Sequence, residues 1–120
     1  MKDYAGKVAV VTGAANGMGA ELARRFADAG ASLALYDIDD ENLRALAGVL
    51  EGKGTKVVAV HGDVADAEAV RAFADRVFEE LGRVDLFFNN AGVISAGTVW
   101  EEPLEDWDWL LGVNTKGLVN

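Results

Sequence analysis

Cysteine is absent from the 120 residues, and histidine occurs once, at His61. Disulfides, thiolate nucleophiles and cysteine-based metal sites are thereby excluded, and a lone imidazole without a second ligand reads as a structural strand-end residue, so no metal site is expected. No run of about 18 apolar residues occurs, so no segment has the length of a membrane-spanning helix. The first residues, Met1-Lys2-Asp3-Tyr4, lack the apolar stretch of a secretory signal, and a cytoplasmic protein is expected. Basic residues are also scarce. Eleven Lys and Arg stand against 20 Asp and Glu, a formal net charge of −9 that argues against binding to nucleic acid or an anionic membrane. An anionic small ligand stays open, because a helix terminus binds phosphate locally whatever the global charge.

What is present is a folded domain. Hydrophobic residues make up 51% of the chain and mean hydropathy is +0.12. That is enough for one core spanning residues 1–120 without cross-links. Short β-branched runs alternate with longer helical ones, which is the pattern of βαβ units and a parallel sheet. Lys7 to Thr12 reads as a first strand, apolar on both faces through Val8, Ala9, Val10 and Val11. A helix from Gly17 follows, with Met18, Leu22, Ala23 and Phe26 on its inner face and Gly30 as its stop. Ser32 to Tyr36 is a second strand, ending at Asp37, and Asp40 to Leu50 a second helix with Leu43, Leu46, Ala47 and Leu50 in phase.

Lys56 to Val60 is a third strand. The segment from Asp66 to Leu81 carries Val70, Phe73, Ala74, Val77, Phe78 and Leu81 as one stripe, with Asp66 as N-cap and Gly82 as C-terminal stop. Val84 to Asn89 is a fourth strand, and Leu104 to Val119 a further helical segment. The expected fold is α/β, a Rossmann-type doubly wound parallel sheet of strand order 3-2-1-4. Phe87 and Phe88 would then lie in an edge strand, where flat apolar surface invites pairing. The pattern therefore reads as a sheet truncated after its fourth strand and following helix.

Ligands of open parallel sheets bind outside the carboxyl ends of the strands. Distinctive residues follow all four strands. The first is followed by Thr12-Gly13-Ala14-Ala15-Asn16-Gly17-Met18-Gly19, a glycine-rich turn opening a helix, the pattern that presents backbone N–H groups to a phosphate. Asp37 lies 18 residues beyond Gly19, near the spacing of an acid that hydrogen-bonds an adenosine ribose diol. A 2′-phosphate about 4 Å from it would cost roughly 4 kcal/mol per unit charge pair at an effective dielectric of 20. The turn offers no Arg or Lys to offset that, so NAD is favoured over NADP. Asp63-Val64 follows the third strand and Asn89-Asn90-Ala91-Gly92 the fourth.

Those residues carry a resemblance. T-G-A-A-N-G-M-G resembles the T-G-x-x-x-G-x-G fingerprint of the short-chain dehydrogenase/reductase family, and N-N-A-G at 89–92 resembles its second signature. Asp63-Val64 and Val113-Asn114 fall at further matching positions, so the resemblance covers the whole chain. It implies that Gly13, Asn16, Gly17, Met18 and Gly19 line the pyrophosphate and its ribose. Asp37 and Ile38 would hold the adenosine ribose, and Asp63 and Val64 would meet the adenine. Asn90, Ala91 and Gly92 would pass along the cofactor near the nicotinamide ribose, with Val113 on the nicotinamide side and Asn114 as a member of the catalytic tetrad. Thr12 and Asn89 would tie strand ends together.

The family's Tyr-x-x-x-Lys is missing. Val8 and Asp40 stand four residues after the only tyrosines, Tyr4 and Tyr36. Transferring hydride to a carbonyl needs a proton for the developing alkoxide. Cofactor binding with little or no turnover is therefore expected of this polypeptide alone, and reduction or oxidation of a small alcohol or carbonyl of the intact enzyme. The alternative is a non-catalytic nucleotide-binding module or a self-associating Rossmann fragment, with a homo-oligomer covering the edge.

Overall fold

A computed structural model of the chain describes residues 4–91. Four strands and three helices alternate: β1 (Val8–Thr12), α1 (Gly17–Asp28), β2 (Ser32–Asp37), α2 (Asp40–Gly52), β3 (Val57–His61), α3 (Ala67–Leu81) and β4 (Leu86–Phe88). All pairings are parallel and the strand order is β3-β2-β1-β4, the order expected from sequence. The expected helix from Leu104 to Val119, together with Gly92, Val113 and Asn114, lies outside the described residues.

Both faces of the sheet are covered, which explains why β1 is apolar at every position and buried throughout. Side chains alternate between faces with the period of a strand. Ala9, Val11, Leu33 and Leu35 point to one side and pack with Ala20 and Ala23 of α1 and Leu43, Leu46 and Leu50 of α2. Val10, Ala34 and Tyr36 point to the other, against Phe73 and Val77 of α3 and Val64. The two layers of helices leave the carboxyl ends of the strands as one rim, from which four loops emerge. None of the described helices is long and apolar enough to cross a membrane.

The helix ends follow their sequence signals. Asp66 accepts from the amides of Glu68 (3.1 Å) and Ala69 (3.2 Å), and Gly82 closes α3 in the left-handed region at φ 79°. Asp39 caps α2 through the Asn42 amide, 3.2 Å away.

Three readings of the sequence need correction. Met18 is 73% exposed and does not face the core; Gly19, Ala20 and Ala23 do. At the start of α1 the helix lies close against the Gly13 carbonyl, so the buried positions there are small, while Phe26 packs on the same core further along. In α3, Phe73 and Val77 are buried, whereas Ala74 is exposed and Phe78 is 57% exposed. The helix rests on β2 and β3 along a narrower stripe than its apolar residues span. Finally, β4 has three residues where six were expected. Asp85 opens it through paired bonds with Val8, and beyond Phe88 the amides of Asn90 and Ala91 turn to the Thr12 side chain. Phe88 packs on Phe26 with centroids 5.1 Å apart, while Phe87, in the outermost of the described strands, is 56% exposed.

Candidate cofactor site

The loop after β1 is shaped by glycines that cannot be replaced without movement. Gly13 and Gly17 have φ of +67° and +57°, the left-handed region. Gly19 is helical, yet a Cβ there would collide with the Gly13 carbonyl oxygen and come within 2.7 Å of Asn90 Nδ2. A Cβ on Gly13 would lie 2.9 Å from Ala91 Cα. The α1 N-terminus is therefore drawn down onto the β1 and β4 loops, and its backbone lines the rim.

That N-terminus has no side-chain cap. Asn16 occupies the N-cap position in extended backbone (φ −142°) without capping, and the first turn contains no acidic residue. The first amides of a helix have no intrahelical acceptor and sit at its positive end. The Asn16 side chain turns away, its Nδ2 donating to Asp39 Oδ2 at 3.0 Å. A glycine cradle around an uncapped helix start matches the shape and charge of a pyrophosphate.

Asp37 closes one side of the cradle. Its Oδ2 accepts from the Ala15 amide at 2.9 Å and its Oδ1 from the Asp39 amide at 2.9 Å, which fixes the half-buried carboxylate at the end of β2 against the glycine loop. The Asp39 carboxyl titrates below its ordinary range. The Asn42 side chain contributes most, followed by the Asn16 side chain and the Asn42 amide. Ile38 between them is 64% exposed. Residues 13–19, 37–40 and 61–66 contain no Arg or Lys, so these three loops present two strand-end carboxylates and no compensating cation.

At the end of β3, Asp63 folds into a tight turn. Its Oδ1 accepts from the Ala65 amide (2.9 Å) and its carbonyl from the Asp66 amide (3.0 Å), while Val64 is buried. Gly62 is tied to β2 by its amide, which donates to the Asp37 carbonyl at 3.0 Å. At the end of β4, buried Thr12 joins the two central loops. Its Oγ1 accepts from the amides of Asn90 (3.0 Å) and Ala91 (3.1 Å) and donates to the Phe88 carbonyl (3.4 Å). Asn90 Nδ2 donates to the Gly13 carbonyl at 3.3 Å.

The expected site residues Gly13, Asn16, Gly17, Met18, Gly19, Asp37, Ile38, Asp63, Val64, Asn90 and Ala91 thus lie along one rim, in or next to the four segments that follow the strands. The sequence reading missed Asp39, whose carboxylate links the glycine loop to α2. It also missed Tyr36, which reaches from the core to the Asp63 carbonyl. Asp39 had a signal, an acid directly before a helix with Asn three residues on; Tyr36 had none beyond being aromatic in an aliphatic strand.

Comparison with known proteins agrees with this geometry. The family model described as short chain dehydrogenase matches residues 7–120. Meso-2,3-butanediol dehydrogenase of Serratia marcescens is 46% identical over 113 residues, covering 94% of this chain and 44% of that protein. A short-chain dehydrogenase/reductase from Burkholderia phymatum, solved in complex with NAD, superposes with a TM-score of 0.95 at 41% identity, covering 99% of this chain and 42% of that one. A short-chain dehydrogenase from Burkholderia cenocepacia, solved in complex with NADP, gives a TM-score of 0.91 at 38% identity, covering 97% and 48%. The chain spans less than half the length of these relatives, and what it matches is a nucleotide-binding Rossmann half. With the glycine turn, the strand order and the strand-end residues all in agreement, the chain belongs to the short-chain dehydrogenase family.

Proposed function

We propose that residues 1–120 form a dinucleotide-binding domain that takes NAD in preference to NADP, within an oxidoreductase acting on a small alcohol or carbonyl. The observation that carries this reading is the Asp37 carboxylate, held by the Ala15 amide beside an uncapped helix start, in loops that carry no Arg or Lys. The relatives divide, one solved with NAD and one with NADP, so the preference rests on this chain's own residues.

The backbone of Gly13, Asn16, Gly17, Met18 and Gly19 receives the pyrophosphate, helped by the positive end of α1. Asp37 accepts from the adenosine ribose diol, with Ile38 as an apolar wall. Asp63 and Val64 meet the adenine. Asn90 and Ala91 follow the nicotinamide ribose; by sequence position Gly92 would join them, Val113 would fall on the nicotinamide side and Asn114 in the catalytic tetrad. When bound, the nicotinamide supplies hydride acceptance or donation. These 120 residues contain no Tyr-x-x-x-Lys to deliver the accompanying proton, so cofactor binding with little or no turnover is expected of them alone.

Calorimetric titration with NAD, NADP and AMP tests the reading. NAD binding at least tenfold tighter than NADP is expected, and Asp37→Ser narrows the gap by weakening NAD and relieving repulsion of the 2′-phosphate. Tighter binding of NADP by the parent chain refutes the assignment of Asp37.

A further inference from the structure

One buried polar group stands just beneath the rim. Tyr36, the penultimate residue of β2, is 1% exposed, and its ring packs on Phe73 with centroids 4.7 Å apart. Its hydroxyl reaches past the end of β3 and donates to the Asp63 carbonyl at 3.2 Å. It can do so because residue 62 is glycine. A Cβ there would collide with the phenol oxygen and stand 2.5 Å from Cζ, although the Gly62 backbone is not in the left-handed region. The absent side chain at 62 and the phenol at 36 therefore occupy one volume.

We propose that Tyr36, lodged in the space left by Gly62, is the positioning residue for the adenine end of the groove. It fixes the Asp63 carbonyl and thereby the direction in which Asp63 and Val64 meet the base. The inference rests on the adenine role given above to those two residues. Consecutive residues hold this loop: the Asp37 carbonyl accepts from the Gly62 amide at 3.0 Å, and the Tyr36 hydroxyl donates to the Asp63 carbonyl. The ribose acid and the adenine loop are thus set by neighbouring positions of one strand. Burial first, then the nearby Asp63 and Asp66 carboxylates, raise the Tyr36 pKa, away from neutrality, where a phenol is already a donor.

Tyr36→Phe removes the hydroxyl and keeps the ring. Binding of NAD, nicotinamide hypoxanthine dinucleotide and nicotinamide mononucleotide to the 120-residue chain separates positioning from general stability. NAD affinity is expected to fall about three- to tenfold, the worth of one hydrogen bond. The hypoxanthine analogue should lose less, and the mononucleotide, which has no adenine, should lose nothing. Amide exchange without ligand supplies a second readout: Ala65 and Asp66 should exchange several-fold faster in the variant, with α1 unchanged. Equal losses for all three ligands, or unaltered exchange at 65 and 66, overturn the inference. A parent chain that binds NAD and the hypoxanthine analogue equally overturns the adenine assignment itself, and the positioning role with it.

Discussion

Replacing Thr12 by Val keeps the shape of the side chain and deletes one oxygen that three backbone groups share. In the parent, Thr12 Oγ1 accepts from the Ala91 amide at 3.1 Å and the Asn90 amide at 3.0 Å, and donates to the Phe88 carbonyl at 3.4 Å. The three losses are unequal. The Asn90 amide keeps a second acceptor, the Phe88 carbonyl at 2.9 Å, and the 3.4 Å bond is long. The Ala91 amide bears the main loss, and a half-buried donor stripped of its acceptor costs about 1–3 kcal/mol. With a small term for the other two, destabilisation of about 2 kcal/mol is expected, against a total of about 5–15 kcal/mol for a domain. Urea unfolding at an m-value of about 1–3 kcal/mol/M reads this as a midpoint lowered by about 1 M with the slope unchanged. Thr12→Ser retains the oxygen and loses one methyl, so it should cost no more than about 1 kcal/mol. A Val variant within about 0.5 kcal/mol of the parent, or a Ser variant as damaged as Val, refutes the view that this hydroxyl holds the β4 loop to β1.

Gly19→Ala places a methyl against the Gly13 carbonyl and 2.7 Å from Asn90 Nδ2, so two loops must shift. It should lower stability by about 1–3 kcal/mol and weaken NAD binding at least tenfold by calorimetry. Gly48→Ala is the internal contrast. Gly48 lies in α2, no atom outside its own stretch of helix stands within 4 Å of its would-be Cβ, and the substitution should raise stability by the helix preference of Ala, about 0.5–1 kcal/mol, read as a higher urea midpoint. The Asp85 carboxyl is held below its ordinary value chiefly by its hydrogen bond from Arg83, then by that from the Val8 amide. A lowered folded pKa gives stability that is present above the unfolded value, about 3.9, and is lost as pH falls through the folded one. Unfolding followed from pH 6 down to pH 2 should therefore steepen below about pH 4, and Asp85→Asn should flatten that part of the curve; an unchanged acid limb counts against the assignment.

The strand order was legible because it follows from alternation of strand and helix, and the burial of β1 on both faces was written in its unbroken apolar run. The glycine loop was legible because its requirement is local: φ values of +67° and +57° at Gly13 and Gly17 need glycine whatever surrounds them. Where apolar residues were read by period alone, the reading failed at Met18 and Phe78. Period identifies a face but does not say how closely that face approaches its neighbour. In α1 a Cβ at Gly19 would collide with the Gly13 carbonyl, and the buried residues are Gly19, Ala20 and Ala23.

Sequence alone therefore determined the parallel α/β architecture, the four strand ends that carry the candidate residues, and the placing of Asp37 at one of them. Each depends on residue type at a fixed spacing along the chain. The resemblance implied that Thr12 would tie strand ends together; tertiary structure decided its partners and the other groups that hold those ends in register. Thr12 meets Asn90 and Ala91 across 78 and 79 residues, Tyr36 meets Asp63 across 27, and Asn16 meets Asp39 across 23. No local pattern marks such pairs. They exist because parallel strands return their carboxyl ends to the same rim, where hydroxyls, amides and carbonyls far apart in the chain come within hydrogen-bonding distance.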